Sequence, residues 1–308
     1  YDIASISEAP TAYHMGYILG PRVNAGGRVG ESSLGIKLLT TNTPDIASAI
    51  AIHLNGLNKE RQVIEGDVLV AATTEAEKNK EYLGILAVAV GNEWHPGVIG
   101  IVASRLKEKF AQPAIIVSVE KGIGKGSCRS VPGIDIGALI TAARQAGLLI
   151  NGGGHAMAAG FSVDEEKIRS LFDFLHKRIR EAPNSNLEQI LRIDCAVTVE
   201  GANLELVGEF SKVAPFGAGN AEPRIAIVGA RIVSAHIVGN GHIRCVIAGS
   251  TGKRLNAIAF GNIAAELSSL LLSKGEANLH LAGYLRLNNW KGRTSLQLII
   301  EDASSVGH

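Results

Sequence analysis

The spacing of hydrophobic positions changes several times along the chain, and each change marks a different kind of element. From Pro44 to Ile64 the positions Ile46, Ala49, Ile50, His53, Leu54 and Leu57 recur near a helical period. The preceding LGPRVNAGGRVG, Leu19 to Gly30, reads as a flexible turn rich in glycine and arginine between helical segments. Residues 1–65 show no apolar core of their own and read as a helical connector.

Residues 66–182 follow a strand–helix alternation. The continuous apolar run Leu83–Val90 has strand length and suits a strand covered on both faces. Pro96 opens a helix over Val98–Phe110, and Ala114–Val119 is a second strand. A helix over Ile136–Ala146 ends at Gly147, and Met157–Val163 is a third strand. Asp164 is a candidate cap for an amphipathic helix whose apolar face is Ile168, Leu171, Phe172, Leu175 and Ile179. This order predicts an α/β domain. The polar EAPNSNLEQ, Glu181 to Gln189, reads as a linker.

Beyond it, residues 190–308 change character. Arg192–Val199 alternates as a strand and Leu204–Val213 reads as a helix. Strands follow at Arg224–Val233, His242–Ala248 and Arg254–Phe260, then a helix at Ile263–Leu272. The last strands are Asn278–Leu287 and Thr294–Ile300. Three strands, a helix and two strands is the element order of an OB-fold barrel.

Composition narrows the possibilities. The 308 residues carry 30 basic and 29 acidic side chains, so no bulk basic field attracts a polyanion and any anion must be held locally. Residues 190–308 have a faint basic excess. Three cysteines at wide, unpaired spacing exclude a disulfide framework or a zinc ribbon and fit a reducing cytoplasm. No apolar run is long enough to span a membrane. The chain opens on Tyr1 without a basic, then apolar, leader, and reads as a trimmed chain or a fragment.

Five stretches carry candidate chemistry, each with a plainer alternative. NGGGHAMAAG, Asn151 to Gly160, has three glycines that let the backbone turn sharply and offer N–H groups to an anion, with His155 as an adjacent donor. Equally, it is a tight turn with His155 exposed. In GKGSCRS, Gly124 to Ser130, an extended backbone puts Ser127 and Arg129 on one face as a phosphate clamp, and Cys128 away from it. The alternative is an edge strand with a solvated arginine. His95 in NEWHPGVIGIVASRL stands at a helix start, where an anion is favoured, or serves merely as a cap beside a core Trp94. Arg22, Asn24 and Arg28 surround the glycine-rich turn of GPRVNAGGR.

The fifth stretch is Asn278–Leu287. Alternation puts Leu279, Leu281, Leu285 and Leu287 on one face and His280, Tyr284 and Arg286 on the other, where bases could stack and phosphates be held. Trp290, beside Lys291 and Arg293, either joins that face or covers the barrel mouth. No DxD, DHH or HxxE-type set suits a two-metal centre.

Together LGPRVNAGGR, EWHPGVIGIVASRL, KGSCRS, GGGHAMAAG, PFGAGNAEPR (Pro215 to Arg224) and the terminal WKGR…LQL resemble the RecJ family, bacterial single-strand-specific DNA exonucleases of the DHH phosphoesterase superfamily. The resemblance covers essentially the whole chain and implies a DHH-associated α/β domain followed by an OB-fold domain. It further implies that Arg28, Ser127 and Arg129 hold a 5′-terminal phosphate. Gly153 and Gly154 would bind substrate phosphate from the opposite side of the cleft, with His95 a further phosphate-side residue, and His155 would be a catalytic residue of the cleft in a supporting role. Tyr284, Arg286, His280, Trp290 and Arg293 would meet single-stranded DNA. The family's Mn2+ or Mg2+ belongs to a DHH domain that this sequence lacks, so no metal is expected here. The resemblance implies a 5′-to-3′ phosphodiester hydrolase of DNA repair and recombination, cytoplasmic, this portion inactive alone. Single-strand-binding protein or a RecQ-type helicase is the implied partner. Two alternatives remain: a non-catalytic single-strand-binding scaffold, and a DHH-type nano-RNase or cyclic-dinucleotide phosphodiesterase.

Overall fold

The structure, a computed structural model, describes residues 1–7, 9–80, 82–181, 190–239, 241–261, 265–273, 278–290 and 293–306. It divides into two compact units, Tyr1–Gln189 and Ile190–His308.

The first unit opens with helices. The glycine-rich segment expected as a flexible turn is helical: α1 spans Gly20–Val29, α2 Leu34–Thr40 and α3 Pro44–Asn79. Packing overrides the poor helix propensity of the glycines. A Cβ at Gly26 would collide with the Glu31 carbonyl oxygen and stand 3.4 Å from Leu54 Cδ2, so the missing side chain lets the helices close up. α3 runs well past Ile64, through the division placed at residue 65, because Val68, Ala72 and Ala76 carry its apolar face onward.

A five-stranded sheet follows, in the order β1-β2-β3-β5-β4. Its strands are β1 Ala87–Asn92, β2 Ala114–Glu120, β3 Ile123–Arg129, β4 Asn151–His155 and β5 Ala158–Asp164. The first pair is parallel and the others antiparallel. NGGGH is thus an extended edge strand, with the turn after it at Ala156–Met157. Helices α4 (Pro96–Phe110), α5 (Ile136–Gln145) and α6 (Ile168–Arg180) complete the unit. The apolar stripe of α6, Ile168, Leu171, Phe172, Leu175 and Ile179, is buried as its spacing predicts. Asp164 precedes a 3-10 turn, Glu165–Lys167, and makes no side-chain cap bond.

The two faces of the sheet are covered unequally. One core joins Val88, Ile115, Val117, Cys128, Phe161 and Val163 to α5 and α6. The other joins Ala89, Ala114 and Ile116 to α3 and α4. On that second face α4 packs on β1, β2 and β3. The surface beyond it, on β3, β5 and β4, forms the floor of a cleft.

In the second unit β6 (Cys195–Val197) and α7 (Leu204–Ser211) precede a barrel. β7 (Ile225–Val238), β8 (His242–Ala248), β9 (Arg254–Ala259), β10 (Asn278–Trp290) and β11 (Arg293–Ser305) form its wall, and a β10–β7 pairing closes the ring. α8, Ala265–Leu272, lies between β9 and β10 in the chain. This is the OB order expected from the alternation, with an interior of Ile225, Ile227, Ile243, Cys245, Leu281, Leu285 and Leu298. Leu287, expected inside, is 47% exposed, since β10 extends beyond the barrel core toward its hairpin.

Candidate functional site

The cleft of the first unit has a volume of about 510 Å³. Its lining includes Arg28, Pro96, Gly97 and Gly100 on one wall and Lys125, Ser127, Asn151, Gly153, Gly160 and Ser162 on its floor. Strand alternation explains the floor. Lys125, Ser127 and Arg129 share one face of β3, while Cys128 is fully buried on the other and its thiol pKa is pushed far up by that burial.

Arginine and hydroxyl groups converge at the first turns of α4. Arg28 Nη1 donates to the Gly97 carbonyl at 3.0 Å. Arg129 Nη1 donates to the Cys128 carbonyl at 2.8 Å and to Ser127 Oγ at 3.3 Å. A Cβ built at Gly100 would stand 3.1 Å from Arg129 Nη2 and 3.2 Å from Ser127 Oγ, so this glycine lets α4 lie directly over the clamp. At Gly97 a Cβ would strike the Arg28 carbonyl oxygen, which fixes how closely α1 approaches α4. His95 serves as the N-cap: its Nδ1 accepts the Gly97 N–H at 3.1 Å. Trp94 packs with the α3–α4 core.

The three consecutive glycines divide between two tasks. Gly152 and Gly154 face α5. A Cβ at Gly152 would sit 3.0 Å from Ile140 Cγ2, and one at Gly154 would collide with the Ala158 carbonyl oxygen. Gly153 faces the cleft, where a Cβ would meet nothing within 4 Å. Of the residues expected around the phosphate, Arg28, Ser127 and Gly153 line the cleft, and Arg129 bonds Ser127 beside it. His155, paired with Ala158 at the end of β4, is exposed and outside the lining, as is Gly154. Arg22 is spent on helix packing, donating to Asn55 Oδ1 at 3.0 Å and to the Ile18 carbonyl at 2.6 Å.

Lys125, Asn151 and Ser162 are floor residues not singled out from the sequence. Lys125 was legible, being two residues before Ser127 on the same strand face. Asn151 and Ser162 depend on the strand register, which nothing local specifies.

The lining holds guanidinium, ammonium, hydroxyl and amide groups and no carboxylate. That set suits an anion and does not fit a divalent cation such as Mn2+ or Mg2+, which requires oxygen ligands of the carboxylate kind. Among the described residues no cluster of three His, Cys, Asp or Glu side chains could hold a metal. Among them, too, no helix is long and apolar enough to cross a membrane.

In the second unit Tyr284 lies between two guanidiniums, Arg224 at 5.2 Å and Arg286 at 5.5 Å from its ring centre. Arg224 Nη2 donates to the Tyr284 hydroxyl at 2.8 Å and its Nε to Glu301 Oε2 at 2.6 Å. Arg286 pairs with Glu222, one bond measuring 2.8 Å. Burial pushes the Tyr284 pKa up, and Glu301 adds to this. Arg224 and Arg286 are thus each paired with a carboxylate within the unit. His280 Nδ1 accepts the Gly229 N–H at 3.4 Å. The side chains of Trp290 and Arg293 lie outside the described residues.

Comparison with known proteins agrees in both units. Residues 83–181 match the DHHA1 domain family and residues 193–302 the RecJ OB domain family. The chain is 30% identical over 302 residues to the single-stranded-DNA-specific exonuclease RecJ of Bacillus subtilis, covering 94% of this chain and 36% of that protein. It is 31% identical over 299 residues to RecJ of Escherichia coli, covering 94% and 51%. The crystal structure of RecJ from Thermus thermophilus in complex with Mn2+ superposes with a TM-score of 0.79 at 25% identity, covering 97% of this chain and 42% of that one. The chain thus spans between about a third and a half of the relatives it matches.

Proposed function

The chain carries a DHH-associated domain and a RecJ OB domain and so belongs to the RecJ family; from that premise we propose that it is the substrate-binding portion of a 5′-to-3′ single-stranded-DNA exonuclease. The observation that carries this reading is the gathering of Arg28, Ser127 and Arg129 beside an open sheet face floored by Gly153.

The roles follow from the chemistry. A guanidinium fork grips two phosphate oxygens and a hydroxyl a third, so Arg129 and Ser127 hold a 5′-terminal phosphate, with Arg28 closing the wall. Gly153 leaves the floor bare for the sugar–phosphate backbone to approach. His95 holds the first turn of α4 in place, and His155 stands at the outer rim in a supporting role. Anchoring the strand end fixes the scissile phosphate and supplies positive charge to it. Divalent cations, where the reaction uses them, are held by residues other than this lining. We read the helices up to the end of α3 as connector, the sheet and its helices up to residue 182 as the α/β module, and 190–308 as the strand-holding barrel, whose β10 face with Tyr284, Arg286 and His280 follows the bases. The setting is cytoplasmic DNA repair and recombination.

The test is direct. The chain alone should bind 5′-phosphorylated single strands and release no nucleotides with manganese. Robust manganese-dependent digestion by the purified chain, or absence of single-strand binding, overturns the reading.

A further inference from the structure

The floor of the cleft extends past the terminal-phosphate clamp. Strand register sets out its side chains in rows across β3, β5 and β4. Arg129, Ala158 and His155 form one row, and Ser127, Gly160 and Gly153 the next. The third row is Lys125, Ser162 and Asn151, where Lys125 pairs with Ser162 and Ser162 with Asn151. All three line the cleft.

This third row is a set of donors. Lys125 is exposed and makes no ion pair among the described residues. Asn151 Oδ1 accepts the Gly152 N–H at 2.8 Å, which turns the acceptor inward and leaves the amide NH2 to donate. Ser162 contributes a hydroxyl. On the far side the row is closed, because the Ser118 hydroxyl donates to the Trp94 carbonyl at 2.7 Å.

Spacing gives the row its meaning. Residues two apart on one strand face are separated by about 7 Å. That is comparable to the distance between neighbouring phosphates of an extended nucleic-acid strand. Gly160 and Gly153 continue the Ser127 row across the sheet without side chains, so the floor beside the clamp and next to the Lys125 row has room for the intervening sugar. We propose that Lys125, Ser162 and Asn151 form a second phosphate seat, which takes the first internucleotide phosphate of a strand whose terminal phosphate occupies the clamp. The inference rests on the reading of the cleft given above. It makes the smallest full ligand of the cleft a 5′-phosphorylated dinucleotide unit.

The experiment measures binding of the chain to 5′-phosphorylated oligonucleotides carrying one uncharged methylphosphonate, placed in turn at the first, second or third linkage. Neutralising the first linkage should weaken binding about tenfold, and Lys125→Ala should do the same on the all-phosphate strand. Together they should cost little more than either alone. Lys125→Ala should also lower the slope of log affinity against log salt by roughly 0.7, as for one lost contact to a single strand. Ser162→Ala should show the same linkage preference with a smaller loss. Multiplying losses, or a Lys125→Ala loss indifferent to which linkage is neutral, would overturn the second seat. Indifference of the parent chain to removal of the 5′-phosphate would instead overturn the clamp, so the two failures are told apart.

Discussion

Gly153 on β4 and Gly160 on β5 stand directly opposite one another, and both line the cleft. Their missing side chains make its depth. Gly153→Val should fold with a stability change within about 0.5 kcal/mol, since a Cβ there meets open space. It should nonetheless abolish single-strand binding by filling the floor. Gly126→Ala is the contrasting variant: its Cβ would strike the Phe161 ring, so a loss of about 1–3 kcal/mol in denaturant unfolding is expected.

Arg129 spends one nitrogen, Nη1, on Ser127 and the Cys128 carbonyl. Arg129→Ala should weaken strands with a 5′-phosphate by about 1.5–3 kcal/mol more than strands with a 5′-hydroxyl. Arg129→Lys keeps the charge without the fork and should recover only part. Fluorescence titration with both kinds of strand end measures this, and an equal loss for both ends counts against the clamp.

The Tyr284 ring and its hydroxyl can be separated experimentally. Tyr284→Phe retains the face between Arg224 and Arg286 but loses the bond from Arg224. Unfolding stability of the second unit should fall by about 0.5–1.5 kcal/mol while strand affinity stays unchanged. A loss of affinity with unaltered stability would mean that the hydroxyl meets the strand.

Glu200 gives the second unit an acid-sensitive element. Its carboxylate accepts the Thr251 N–H at 3.0 Å and the Thr251 hydroxyl at 2.8 Å, which lowers its pKa from 4.5 to about 2. A depressed folded-state pKa contributes stability that is complete above pH 4.5 and is lost as pH falls toward 2. Thermal melting at pH 6 and pH 3 should therefore converge more closely for Glu200→Gln than for the parent chain.

Much of the architecture was legible because burial imposes a period. The α6 stripe from Ile168 to Ile179 and the alternation of Leu279, Leu281 and Leu285 carry their faces in the sequence. Glycines misled, because their local freedom says turn while their use here is close approach. Gly26 admits a neighbouring helix, Gly152 admits α5 and Gly154 admits the β5 backbone at Ala158 and Ala159, yet all three sit in regular elements. That Ser127 and Arg129 share one face of β3 followed from alternation alone. Asn151 and Ser162 did not, since their meeting with Lys125 is decided by pairing between distant strands. The quenching of Arg224 and Arg286 by Glu301 and Glu222 was likewise hidden, the partners being far apart in sequence.

The bond from Arg28 to the Gly97 carbonyl joins a side chain before the matched DHH-associated region to a helix inside it. Anyone excising residues 83–181 as a self-contained piece would leave behind one side of the socket, together with the α3 residues Val68, Ala72 and Ala76 that shield the underside of α4. The smallest unit that can be cut out with the walls of its cleft and the packing of α4 intact is therefore larger than the region that homology delimits.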